Sequence, residues 1–274
     1  MISTAELHRA AAQQSLRFDQ VEKDYVILWV LGALTASSRG STDWVFKGGT
    51  CLRHCYYPGY RFSEDIDFSC VGGTNNVETS ESRLEQAARR VREHSGLILA
   101  LKPARWSAGQ EQLEIGLEYS RGGTRRQALP AVIVHLTFDE PVITPFEVRD
   151  VASPCSDLEP FSLACYSKIE IVAEKLRALI QQQEKWPRPR DLYDLWFILC
   201  RQREPMPSHE LRGLFERKCA VRGVAPDPRR LVSAELREWN RSAWGSQLLP
   251  TLKNGPDYDV VWDEWMTVCA TLLK

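Results

Sequence analysis

The chain has 274 residues, 43% of them hydrophobic and 26% charged, with a net charge of -1, enough for one large or two ordinary globular domains. That balance excludes a disordered chain and a molecule drawn to nucleic acid by its overall charge. The eight cysteines contain no Cys-x-x-Cys pair and the five histidines no His-Glu-x-x-His pattern, so the sequence predicts no zinc site.

Apolar residues at helical spacing predict helices over 5–16 and 20–36, the second carrying Val21, Tyr25, Leu28, Trp29 and Gly32. Glu6, His8 and Arg9 interrupt any leader-like run, and the apolar stretch from Tyr25 to Ala36 is too short to span a bilayer. A reducing cytoplasm is the expected compartment, with no membrane partner. Residues 37–41 read as a loop. Trp44 to Lys47 is a short predicted strand that enters the pair Gly48-Gly49, and Thr50 to Tyr56 a short helix. Pro58-Gly59 turns the chain into a second strand, Asp65 to Cys70. Residues 76–95 form a charged amphipathic helix.

Three β-like runs follow at 97–101, 112–119 and 131–138. The last two read as a hairpin around Arg121-Gly122-Gly123-Thr124. Pro141, Pro145, Pro154 and Pro160 break up the next stretch. The expected division is therefore a mixed domain over 1–155 and a helical domain over 156–274. Helices are predicted at 165–184, 189–202, 207–219, 228–240 and 257–272. The class is α+β. Local basic clusters stand at Arg89-Arg90-Arg92, Arg125-Arg126, Arg188-Arg190 and Arg229-Arg230.

Asp65 and Asp67 carry the clearest chemical signal. Residues two apart on a strand share a face, so both carboxylates point one way while Ile66 and Phe68 pack behind them. Two hard oxygen ligands on a rigid strand suit Mg²⁺ held together with substrate phosphates. Gly48 and Gly49, at a helix start, offer backbone N–H groups to those phosphates. The alternatives are a solvated strand edge for the aspartates and a plain tight turn for the glycines. Cys51, Cys70, Cys165, Cys200 and Cys269 lie in or beside apolar segments and read as small buried hydrophobes. His54 and Cys55 receive no chemistry. Of Trp186, Trp196, Trp239, Trp244, Trp262 and Trp265, most are expected in a core, with a few free to stack on a base or a partner.

Lys47-Gly48-Gly49-Thr50 and Arg61-Phe62-Ser63-Glu64-Asp65-Ile66-Asp67 resemble motifs of the AbiEii/AbiGii (MenT-like) nucleotidyltransferase toxins, within the polymerase-β-like nucleotidyltransferase superfamily. Glu174-Lys175-Leu176-Arg177-Ala178-Leu179 and the run from Arg188 to Trp196 match as well, in the family's order. The resemblance implies a polymerase-β-like domain with a small mixed sheet, followed by a helical C-terminal domain closing over the nucleotide. It implies Mg²⁺ (or Mn²⁺) on Asp65 and Asp67, an NTP substrate, and an antitoxin with a winged-helix DNA-binding part. Some members transfer nucleotides to the 3′ end of tRNA and stop translation, so tRNA or another RNA is the expected acceptor.

By the same resemblance Asp65, Asp67, Lys175 and Asp191 are catalytic. Lys47, Gly48, Gly49, Thr50, Ser63, Lys175 and Arg190 bind the nucleotide. The alternatives are a solvent-facing Lys175 paired with Glu170 or Glu174, and a capping role for Asp191. Asp194 is expected to be structural. Superfamily members commonly carry a third acidic residue on a later strand. Here the strand from Ala131 to Phe138 carries His135, with Asp139 and Glu140 only at its end. His135 is then either a base with a pKa near neutrality or a satisfied core histidine. Acceptors other than RNA, a protein or a small molecule, and a degenerate member that binds without turnover, stay open.

Overall fold

The computed structural model describes residues 1–37, 43–72, 76–107, 112–122, 128–182 and 186–272. Most of the expected loop at 37–41, the Gly123-Thr124 half of the hairpin turn and the Arg125-Arg126 cluster lie outside the described residues. By contacts the chain forms two units, Met1–Tyr166 and Ser167–Lys274.

The first unit opens with α1 (Thr4–Gln14), started by a capping box between Ser3 and Glu6, which satisfies two free N–H groups reciprocally. Helix α2 (Phe18–Ser37) follows. Its residues 24–31 are almost all buried on every side, as expected of a helix enclosed by other elements. The sheet begins with β1 (Trp44–Lys47), continues through α3 (Gly48–Cys51) and a single π turn (Leu52–Tyr56), and returns in β2 (Asp65–Cys70). Helix α4 (Val77–Ser95) packs on α2. Next come β3 (Ile98–Leu101), β4 (Arg105–Trp106), β5 (Leu113–Ser120), β6 (Ala131–Thr137), β7 (Glu147–Val151) and β8 (Phe161–Cys165).

These form one mixed sheet in the order β3-β5-β6-β2-β1-β8-β7, with β4 also paired to β5. Strand β2 sits near the middle, antiparallel to β1 and parallel to β6. The expected hairpin is β5–β6. Strands β4, β7 and β8 were not expected. The prolines that argued against strands lie between them: Pro145 precedes β7, and Pro154 and Pro160 connect β7 to β8. Proline removes a ladder donor only inside a strand. Strand β8, beyond the expected boundary at 155, pairs with β1 and belongs to the first unit.

The second unit is helical: α5 (Lys168–Gln182), α6 (Pro189–Trp196) with a π turn (Phe197–Arg201), α7 (Ser208–Val221), α8 (Ala234–Ala243) and α9 (Tyr258–Leu272). The helix expected over 228–240 is two pieces, a 3-10 turn (Pro228–Val232) and α8. Ser233 is extended between them and its side chain accepts from the Leu236 N–H, which starts a new helix. Trp196, Trp244, Trp262 and Trp265 are buried, while Trp186 and Trp239 are exposed. Lys218 on α7 and Glu170 on α5 form a fully buried ion pair at 2.8 Å.

Candidate active site

Strand β2 is the backbone of the site. Ile66 and Phe68 alternate inward and are buried, whereas Asp65 and Asp67 are partly open. The apolar residues anchor the strand and the acidic ones are presented. Register places Lys47 of β1 opposite Asp67, Asp67 opposite His135 of β6, His135 opposite Glu114 of β5, and Glu114 opposite Arg105 of β4. Directly opposed residues share a face. The sheet thus carries one transverse row in which acidic and basic side chains alternate.

Within that row His135 Nδ1 lies 3.0 Å from Asp67 Oδ1, and Nε2 lies 3.9 Å from Glu114 Oε1. Burial works against a charged His135, but the hydrogen bond to Asp67 and the charges of Asp67, Asp65 and Glu114 outweigh it. Its pKa is raised to about 9. At neutral pH His135 is an imidazolium. It sits among the carboxylates of Asp67, Asp65 and Glu114 rather than in an apolar core.

Asp65 has the opposite problem. Burial first, and the Asp67 charge second, raise its carboxyl to about 6, with His135 and Lys23 opposing. Two carboxylates held against their own repulsion on a rigid strand make a donor set that fits a hard divalent cation, which offsets both the burial and the repulsion.

The glycine pair closes against these groups. Gly48 has φ +79°, and a Cβ there would collide with the Asp67 carboxylate. A Cβ on Gly49 would stand 2.7 Å from Arg61 Nη2 and 2.8 Å from Ser63 Oγ. Only glycine therefore lets the start of α3 approach β2 this closely. Ser63 stands beside the pair. Thr50 is fully buried and its hydroxyl donates to the Asp65 carbonyl, so it fixes the start of β2. Lys47 is also buried, 3.1 Å from the equally buried Glu140 and above the Tyr166 ring.

Residues that received no role in the sequence support the same segment. Arg53 and His54 on the π turn both hold the Asp24 carboxylate of α2, at 2.8 and 3.0 Å. Despite burial, its contacts with His54 and Arg53 keep Asp24 well below the usual carboxylate range. Arg61 is buried beside Gly49. Its only sequence signal was its place in the block that runs on to Asp67.

In the second unit, Lys175 is buried and its Nζ lies 2.6 Å from both Asp191 and Asp194. It is not solvent-facing, and Glu170 and Glu174 face Lys218 instead. Asp191 also accepts from Arg188 at 3.1 Å, whereas Asp194 is fully buried. Arg190 Nε donates to the Gln247 carbonyl.

The mixed sheet thus presents two strand-borne carboxylates against which a glycine pair closes. The family described as "Nucleotidyl transferase AbiEii toxin, Type IV TA system" matches residues 29–267. The chain belongs to this family, and is a toxin nucleotidyltransferase of a type IV toxin–antitoxin system. Membership implies an antitoxin partner. The fold is similar to the MenT4 nucleotidyltransferase toxin of Mycobacterium tuberculosis H37Rv, with TM-score 0.70 and 17% identity over 99% of this chain and 91% of that one. It is also similar to JHP933 from Helicobacter pylori, with TM-score 0.58 and 18% identity over 94% and 93%. Comparison with curated proteins gave no match. Among the described residues, no helix is long and apolar enough to cross a membrane.

Proposed function

We propose that the protein transfers a nucleoside monophosphate from an NTP to the 3′ end of an RNA, tRNA foremost, and so blocks translation in the cytoplasm. The reading rests on the paired Asp65 and Asp67 beside the glycine pair, with the Asp65 carboxyl raised to about 6 by burial and by its neighbour. Asp65 and Asp67 would hold Mg²⁺. When bound, that ion supplies charge neutralisation for the triphosphate and for the attacking oxygen. Gly48 and Gly49 bring backbone N–H groups up to the phosphates without side chains in the way. His135 orients Asp67 through its Nδ1 hydrogen bond. Lys175, buried and paired with Asp191, would meet nucleotide phosphate as a compact point charge.

RNA as acceptor is supported by charge on the first unit. Arg89, Arg90 and Arg92 on α4 are exposed, as are Arg105 and Trp106 on β4. Exposed cations suit phosphates and an exposed indole suits stacking on an unpaired base. The antitoxin would carry a winged-helix DNA-binding part.

The test is incubation of the protein with each α-³²P-labelled NTP, Mg²⁺ and total tRNA, beside Asp65→Asn. Label entering tRNA with wild type alone supports the reading. Label entering protein or a small molecule instead moves the acceptor, and label entering tRNA with the variant refutes the assignment of the carboxylates.

A further inference from the structure

Three cysteines that are scattered in sequence meet in the first unit. Cys51 ends α3, Cys55 lies one turn on in the π turn, and Cys165 ends β8. Their sulfurs all lie within 4.8 Å of one another, and Cys165 Sγ is 3.5 Å from Cys55 Sγ. Cys51 and Cys165 are fully buried, and Cys55 is partly open. The frame is held from outside the cluster. Phe46 of β1 pairs with Cys165, and the Tyr56 hydroxyl donates to the carbonyl of Tyr166, the next residue.

We propose that Cys51, Cys55 and Cys165 bind one thiophilic d¹⁰ cation of the Zn²⁺ class, which braces the helix carrying the glycine pair. A Zn–S bond is about 2.3 Å, so sulfurs around one tetrahedral ion stand about 3.8 Å apart. The observed separations need only small adjustments to reach that spacing. Three soft sulfur donors with no carboxylate or imidazole among them select Zn²⁺ or Cu⁺ over Mg²⁺. Partial opening at Cys55 leaves a fourth position for water.

Electrostatics agree with the geometry. Hydrogen bonds from Cys165 and Cys51 hold Cys55 down at about 4 against burial, with His54 and Arg149 adding positive charge. Burial pushes the Cys51 thiol up. For Cys165 the bond with Cys51 works downward, but the bond to Cys55 and burial together push the thiol up. Thiols bind such an ion as thiolates, so its binding releases protons. The spacing Cys51, Cys55, Cys165 has no Cys-x-x-Cys pair, which is why the sequence predicts no such site.

The consequence lies next door. Cys51 follows Thr50, whose hydroxyl fixes the Asp65 carbonyl. An ion on Cys51 would clamp α3 from its far end, opposite Gly48.

The experiment titrates full-length reduced protein with Zn²⁺ and, separately, Cd²⁺ in excess Mg²⁺, reading the ultraviolet cadmium–thiolate band, which occupancy of Asp65 and Asp67 does not produce. Wild type should take up one ion per chain and gain thermal stability. Iodoacetamide labelling of Cys55 should fall when the ion is bound. Cys55→Ser and Cys165→Ser should weaken binding at least about tenfold, and Cys200→Ser should bind as wild type does. The labelling measurement on unmutated protein covers the case in which Cys165→Ser fails to fold. No binding by wild type, equal binding by Cys55→Ser, or a Cys55–Cys165 disulfide formed in place of the metal complex overturns the proposal.

Discussion

Asp65→Asn tests the electrostatic reading of the site most directly, because it should gain stability while losing function. The Asp65 carboxyl is raised from 3.8 to about 6, by burial first and Asp67 second. At about 1.4 kcal/mol for each tenfold change, that corresponds to a ceiling of about 3 kcal/mol. Partial exposure and screening reduce it to about 1–2 kcal/mol. The folded-state value lies above the unfolded one, so folding favours the protonated acid. Wild type therefore keeps this stability below pH 3.8 and loses it as pH rises through about 6. Asparagine mimics the neutral acid and has no such loss. In metal-free buffer at neutral pH, Asp65→Asn should melt about 2–8 °C above wild type. The gap should close as pH falls below 3.8. Adding Mg²⁺ should raise the melting temperature of wild type and leave the variant unmoved. Equal or lower stability of the variant at neutral pH, or a gap independent of pH, would refute the repulsion argument.

The remaining expectations address other parts of the molecule. The His135 pKa is raised to about 9, so its stabilising contribution is complete below about 6.5 and disappears as pH rises through 9. Urea midpoints measured across that window should fall for wild type by an amount equivalent to about 1–2 kcal/mol more than for His135→Gln; parallel curves would show that His135 is not charged. Gly48→Ala forces a side chain into a φ of +79° and against Asp67. It should cost at least about 1–2 kcal/mol in denaturant titration, with weakened NTP binding by calorimetry, and unchanged binding would remove the glycine pair from the site. Lys218→Ala leaves Glu170 in a fully buried position without this partner, and should cost about 3–5 kcal/mol. The double change Lys218→Met with Glu170→Met should recover most of that, as read by thermal melts, and a mild effect of the single change would contradict the buried pair.

Much of the site is legible locally. Strands Trp44–Lys47 and Asp65–Cys70 have the bounds read from their patterns. Alternation of acidic and apolar residues on β2 is enough to say that Asp65 and Asp67 share a face. The glycine pair announces a close backbone approach, and its φ and its contacts with Asp67, Arg61 and Ser63 give the reason. Helices α5, α6 and α9 are marked by apolar period, an opening proline and terminal breaks.

What required the fold is everything set by pairing between distant segments. No sequence spacing aligns Lys47, Asp67, His135, Glu114 and Arg105, because their row exists only in the register of five strands. The protonation states of Asp65 and His135 follow from that row and from burial, and neither is a property of the residue alone. The same holds for Lys175, whose partners on the next helix are Asp191 and Asp194 rather than its own neighbours. Strands β7 and β8 were hidden by flanking prolines, and with them the meeting of Cys165 with Cys51 and Cys55. The sequence alone specifies which groups can do chemistry and which face of an element bears them, since helix and strand periods are local. Tertiary structure decides which groups meet, because side chains from distant segments become neighbours only after the chain has folded.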